Sequence, residues 1–430
     1  VWCPIGTGVQ NGGVTGFAPL EKLYIGAYVT SLSGIPVNGI CTLDNSQVNS
    51  LDQGLSSGGA YGASWYKGKL IVGGDFASAG QNVPYTARIA AWDSINGWSS
   101  LTPNGGLSNA VLAITTYNGD LYIGGQFVTI NNVPVNRIAK WNGSSWSNVS
   151  GGVNGGIEEI FCMAVYHGQL YVGGNFGYAG TNNLPTNYIA RWNGTQWDSV
   201  GGGVNYPIHA LLVDTVRDVL YAAGEFSQAG NSIALGVAQW NDTAWSPVGS
   251  GTDTLWGSRC LALYNGELYA GGINVRITSQ GDTLKNIYKY NGTKWLSVDG
   301  GANNSVLNMT TYNGNLYVGG QFWQVGYGVN ANRIACYGTS CPVSVGISET
   351  PPPVPFKMYP NPNDDVLHIE SEEPNELYFT LLNAAGQLVV KETFTNRIDY
   401  SIKDLPAGSY FVQVSLKDGS RLHTEPLIVQ

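Results

Sequence analysis

Short stretches in which apolar and polar residues alternate, cut by Asn-Gly and Gly-Gly pairs, run through most of this 430-residue chain. Alternation at a period of two marks half-buried strands. The run VLAITTYNGDLYIGGQF, ending at Phe127, holds two of them joined at Asn118-Gly119, and Asn-Gly is the preferred two-residue turn of a β-hairpin. A second hairpin follows, RIAKW and WSNV, turning at Asn142-Gly143. The pattern thus predicts four antiparallel strands per unit. The leucine that opens the second strand recurs at Leu23, Leu70, Leu121, Leu170, Leu220, Leu268 and Leu316, at intervals of about fifty residues.

A four-stranded unit of that length cannot bury both of its faces alone and must stack on copies of itself. The expectation is an all-β chain whose residues 1–343 form a seven-bladed β-propeller. WCPIGTGV at Trp2 matches the fourth strands WSNVSGGV at Trp146 and WDSVGGGV at Trp197, whereas the last unit, ending RIACYGTSC, lacks a fourth strand. The two fragments complete one another, so the N-terminal strand is expected to close the ring and remove its free edge. In an ordinary unit Lys140 lies opposite Ser147; carried to the closure, these positions are Cys336 and Cys3. A Cys3–Cys336 disulfide would tie the ring ends together, worth roughly 4 to 5 kcal/mol by loop entropy; Cys3–Cys341 is the alternative. Cys41, Cys162 and Cys260 sit at small apolar repeat positions and read as free thiols.

The Gly124-Gly125 pair, with Trp141 and Trp146 in the next two strands, resembles the signature of kelch-type propeller repeats. The doublet departs to Gly26-Ala27 and Ala223-Gly224. Because the tryptophans return in nearly every unit, they are expected to pack between sheets rather than to form a ligand stripe. The polar residue after the doublet (Asp75, Gln126, Asn175, Glu225, Gln321) is expected to bond a neighbouring blade's backbone.

Turns joining strands one to two and three to four are tight; the connections on the opposite face are long and variable, and binding residues favour such loops. Repeat-breaking residues on that face are Glu158, Glu159, Tyr206, His209, Trp256, Arg259, Trp323 and Tyr327, the candidate ligand site. Adjacent carboxylates in a strand point to opposite faces, so Glu158 and Glu159 make a poor acid–base pair. No nucleophile elbow, phosphate loop or metal-ligand spacing is present, so neither an enzyme nor a cofactor or metal is expected. A formal charge of −9 argues against a nucleic-acid partner, and no apolar run has the length of a membrane helix.

Asp followed by Ser or Thr and then an aliphatic residue or Ala occurs six times, at Ser94, Ser199, Thr215, Thr243, Thr254 and Thr283. This resembles the O-glycosylation sequence of Bacteroidetes, which would make these hydroxyls acceptors. Residues 344–356 are rich in proline and read as a stiff linker. Beyond it, 357–430 alternates again without Trp and is expected to form an Ig-like β-sandwich. Its motifs Tyr359-Pro360-Asn361-Pro362, LLNAAGQLV with Gly386, LPAGSYFVQV with Gly408 and Tyr410, and the final LIVQ resemble the type A C-terminal sorting domain of the type IX secretion system. That resemblance implies export across the outer membrane by the translocon with its shuttle and sortase components, and an extracellular or surface-attached product. The function expected is binding or adhesion to a glycan or protein partner. The alternatives are a structural component of the cell envelope and an extracellular polysaccharide-active enzyme.

Overall fold

The computed structural model describes all residues except 11, 45–46, 82, 104, 158, 250–256, 278–282, 340, 342–355, 360–364, 372–375, 384–386, 417–422 and 430. The chain divides into two compact units, Val1–Val345 and Gly346–Gln430. The proline-rich linker falls almost wholly outside the described residues.

Among the described residues the first unit contains seven four-stranded antiparallel sheets. The third is representative: Val111–Tyr117, Asp120–Gly125, Ile138–Trp141 and Trp146–Asn148, paired in that order. Asn118 and Gly119 both take positive φ, 49° and 79°, as the two-residue turn requires. First strands of consecutive sheets pack side by side, and the seventh, Val306–Tyr312, packs on the first, Val14–Pro19. The order is therefore cyclic. The seventh sheet takes its fourth strand, Trp2–Pro4, from the N-terminus, antiparallel to Ile334–Tyr337 with Cys3 opposite Cys336.

The glycine doublet makes close stacking possible. A Cβ on Gly124 would lie 2.6 Å from Cγ2 of Ile160 in the next sheet, and one on Gly125 would lie 2.2 Å from the Ala110 carbonyl. The same holds around the ring, where Gly319 faces Val14 across the closure. The fourth-strand tryptophans pack as expected and add a hydrogen bond. The Nε1 groups of Trp98, Trp146, Trp197, Trp245 and Trp295 donate to Leu51, Leu101, Val149, Val200 and Val248 carbonyls of the preceding sheet, at 2.8–3.2 Å. Trp2 of the closing strand repeats the bond to Val298 at 3.3 Å.

The cysteine pairing differs from expectation. Cys336 is bonded to Cys341, with Cα atoms 5.8 Å apart, and Cys3 is free. Cys336 is fully buried in a cluster with Ile5 and Tyr317, and Cys341 packs against the same cluster after the chain turns back. The near neighbour in sequence takes the partner that strand register had suggested for Cys3. The disulfide closes a short loop, and the ring ends are held by backbone pairing and Trp2 instead. Cys41, Cys162 and Cys260 are free thiols, as expected, and burial pushes Cys41 up to about 12.

The second unit has a three-stranded sheet (Phe356–Tyr359, Val366–Ser371, Arg397–Ser401) and a four-stranded one (Leu388–Phe394, Leu377–Asn383, Gly408–Leu416, His423–Val429). Leu367 and Ile369 of the first share a core with Phe379, Leu381, Val412 and Val414 of the second, all fully buried. Tyr359 ends the first strand and bonds Glu370 at 2.5 Å. Gly408 opens its strand, and buried Tyr410 donates to the Pro406 carbonyl at 2.9 Å, locking that corner. Pro360, Asn361, Pro362 and Gly386 lie outside the described residues.

Candidate ligand site at the mouth of the central channel

Each of the seven first strands carries one residue too many for its partner. The register slips at Thr15, Tyr61, Leu112, Phe161, His209, Arg259 and Leu307. A β-bulge of this kind bends the strand and re-aims the extra side chain. All seven bulge residues line one cavity of about 550 Å3 that runs between the first strands. Since each bulge lies near the start of its strand, where the chain arrives from a long connection, the ring of side chains sits at the long-loop mouth of the channel.

The seven side chains differ in kind, and the mouth is correspondingly uneven. On one arc, Arg259 Nη2 donates to Glu225 Oε1 at 2.7 Å and Arg259 Nη1 to His209 Nδ1 at 3.0 Å. His209 Nε2 lies 3.2 Å from the same carboxylate oxygen. Burial first, and the Arg259 cation second, hold the imidazole down to about 4, so at neutral pH this arc carries one cation, one anion and a neutral ring. Phe161 stacks on His209 with centroids 4.9 Å apart, and Leu112 extends the apolar wall. Across the mouth, Tyr61 donates to Asp75 Oδ2 at 3.3 Å, and Tyr28 contacts both Tyr61 and Asp75. Burial and the Asp75 carboxylate raise Tyr28 far above a phenol's ordinary range. This collection can grip a small ligand with an apolar face and hydrogen-bonding edges. Cys162 and Cys260 lie in the wall, and burial drives both thiols up, which makes them poor nucleophiles.

Of the residues singled out in sequence, the structure brings His209 and Arg259 into contact. Glu159, two residues before Phe161, accepts a 2.7 Å hydrogen bond from Gln126 of the preceding sheet. Tyr206, Trp323 and Tyr327 stand exposed on the loops and do not line the channel. Glu158 and Trp256 lie outside the described residues. Tyr61, Phe161 and Glu225 were missed as site residues; aligning the seven repeats places Tyr61 and Phe161 in the same column as His209 and Arg259. Three of the polar residues after the doublet, Asp75, Gln126 and Glu225, depart from expectation. Gln126 and Glu225 bond side chains of the next sheet, and Asp75 binds the Gly59 N–H along with the tyrosines. Side chains at the mouth, the bulge residues Tyr61, His209 and Arg259 among them, supply partners for Asp75 and Glu225. Ser94, Ser199, Thr215, Thr243 and Thr283 are all exposed; Thr254 lies outside the described residues.

Residues 357–430 match the family described as the secretion system C-terminal sorting domain. This is a type IX export tail. It sends the protein to the cell surface or the extracellular space, and it implies contact with the secretion machinery. Among the described residues no helix is long and apolar enough to cross a membrane. Residues 68–94 match a β-propeller domain of unknown function, in agreement with the cyclic sheets. The extracellular domain of a protein described as a hybrid two-component system, BT3049 of B. thetaiotaomicron, is similar in structure with a TM-score of 0.51 and 12% identity. It is covered over 57% of its length by the whole of this chain. At this identity the likeness is one of fold. The extracellular domain of BT4673 from the same organism gives 0.48 at 13% identity, with 100% of this chain and 58% of that one covered. PorZ, a surface component of the type IX system of Porphyromonas gingivalis, gives 0.39 at 12%, with 98% and 75% covered. No curated protein matches the chain.

Proposed function

We propose that this exported chain is a kelch-like, seven-bladed binding module, closed by its N-terminal strand and carried out by an Ig-like sandwich, that engages a glycan or a protein group at the mouth of its channel. The observation that carries the reading is the ring of bulges. Seven equivalent positions are turned inward by the same backbone device, yet they hold Thr, Tyr, Leu, Phe, His, Arg and Leu. Packing explains residues that repeat; a column this varied, aimed into a 550 Å3 cavity, suits recognition. The proposal includes no catalysis. It also includes O-glycans on the exposed hydroxyls at Ser94, Ser199, Thr215, Thr243 and Thr283, to be tested by the intact mass of protein from its native host.

The test of binding is a screen of the full chain against a glycan array and against solubilised envelope proteins, repeated with Arg259→Ala and Phe161→Ala. Retention of one ligand, weakened about tenfold or more by either change, is expected. A ligand held equally by both variants would place recognition elsewhere, and turnover of any retained polysaccharide would overturn the non-catalytic reading.

A further inference from the structure

The tight-turn face, which the channel reading does not use, holds a second cavity. It measures about 480 Å3, lies between the first and second sheets, and is walled by Trp65 and Trp92 with Tyr24 beside them. This is within the range of roughly 300–1,000 Å3 typical of small-molecule sites. Both indoles are half-buried, one side packed on the core between the two sheets. Trp92 is fixed by a 2.7 Å bond from Nε1 to Asp52 Oδ2, and Trp65 meets Tyr24 edge-on at 6.5 Å.

Trp65 breaks the repeat. It stands opposite the recurring leucine, at Leu70, where the other sheets carry Pro19, Thr116, Val165, Val213, Leu263 and Thr311. Lys69 is a second departure, since sheets three to seven place Asp120, Gln169, Val219, Glu267 and Asn315 at that register. A bulky indole is needed neither for the blade nor for its stacking, because six sheets do without it. The rim is polar and nearly balanced in charge. Lys69 Nζ lies 3.3 Å from Asp93 and Lys22 Nζ 3.8 Å from Asp44, while Asn49 and Asn96 add amides. Asp93 Oδ1 accepts the Ile95 and Asn96 N–H groups at 3.1 and 2.7 Å, which fixes the lip of the groove.

From these residues we infer that the groove is a saccharide-binding site, independent of the channel mouth, that stacks a neutral sugar ring on Trp65 and Trp92. The C–H face of a pyranose matches an indole face, and its hydroxyls match a rim of paired ammonium, carboxylate and amide groups. The balance of charge disfavours a phosphorylated or strongly acidic ligand.

The test uses the full chain, made in a host without this O-glycosylation so that Ser94 on the lip of the groove is bare, on an array of defined neutral oligosaccharides, followed by tryptophan-fluorescence titration with whichever oligosaccharide is retained. Trp65→Thr installs the residue that the third and seventh sheets already tolerate, and Lys69→Asp installs the residue of the third. Both are expected to weaken binding, Trp65→Thr by about tenfold or more, with thermal unfolding close to that of the parent, whereas Arg259→Ala leaves the titration unchanged. Two results would overturn the site: no neutral oligosaccharide retained, or one retained whose affinity drops with Arg259→Ala and not with Trp65→Thr and Lys69→Asp. The second would leave the channel reading standing.

Discussion

At the scale of single residues, Trp146 and His209 show how far side-chain chemistry was legible. That the repeated tryptophans pack between sheets follows from their regularity in the sequence. Their hydrogen bond does not, because the acceptor lies about fifty residues earlier, at no motif. The bond makes a separable contribution. Trp146→Phe keeps the aromatic packing but leaves the Leu101 carbonyl, bonded at 2.8 Å in a buried setting, without its donor, a loss of about 1–3 kcal/mol. Urea unfolding of the two proteins measures it. His209 gives a prediction in pH. Its folded value of about 4 lies below the ordinary 6.5, so the unfolded chain takes up a proton that the folded one refuses. Stability is therefore full above about pH 6.5 and falls as the pH drops towards 4. His209→Gln should flatten that part of the profile in denaturation midpoints collected from pH 7 to 4. A profile of unchanged slope would mean that the imidazole does not govern this part of the acid response.

At the scale of strands and sheets, the hairpins, the unit and its repetition were readable from alternation and Asn-Gly turns. The bulges were not. One extra residue in VTGF, AYGA or IHAL still looks like alternation in a single unit, and only the cross-strand register reveals it. The sequence therefore placed His209 and Arg259 on the right face but scattered them among Tyr206, Trp323 and Tyr327, which the loops hold apart. The doublet Gly124-Gly125 was recognised as a signature without a reason, and the structure provides one: the first glycine admits the next sheet, the second its own first strand. Gly124→Ala should cost about 1–3 kcal/mol by overpacking, since its Cβ would meet Cγ2 of Ile160 at 2.6 Å. Adding Ile160→Ala should then cost less than it does in the parent, because the clash goes with the side chain. A double-mutant cycle on unfolding free energy reads the coupling. The chain has made a related exchange itself: Ala223 replaces the first glycine in the fifth sheet, and the residue corresponding to Ile160 in the sixth is the smaller Ser258.

At the scale of the whole molecule, the decisive feature is how the ring is closed. Sequence similarity among fourth strands identified Trp2–Pro4 as the missing strand and placed Cys3 opposite Cys336, which the register shows. It set Cys3 against Cys336 or Cys341 and did not join those two to each other, because that pairing depends on the turn after Tyr337, where no strand pattern guides the chain. Closure is consequently noncovalent. Cys3→Ser should leave the Cys336–Cys341 bond in a non-reducing peptide map and leave thermal unfolding almost unmoved. Removing residues 1–4 is a different matter. It deletes the buried Trp2, its bond to Val298 and the pairing along Ile334–Tyr337, and it leaves that strand as an open edge of the seventh sheet. An exposed edge pairs with other chains, so the truncated protein should both unfold at lower temperature and associate as its concentration rises, with light scattering reporting the second effect. Trp2→Ala separates the two: it should lower stability by about 3–5 kcal/mol while the backbone pairing still covers the edge, so that light scattering shows no more association than in the parent. If Cys3→Ser were as damaging as the truncation, the closure would depend on that thiol and not on the strand.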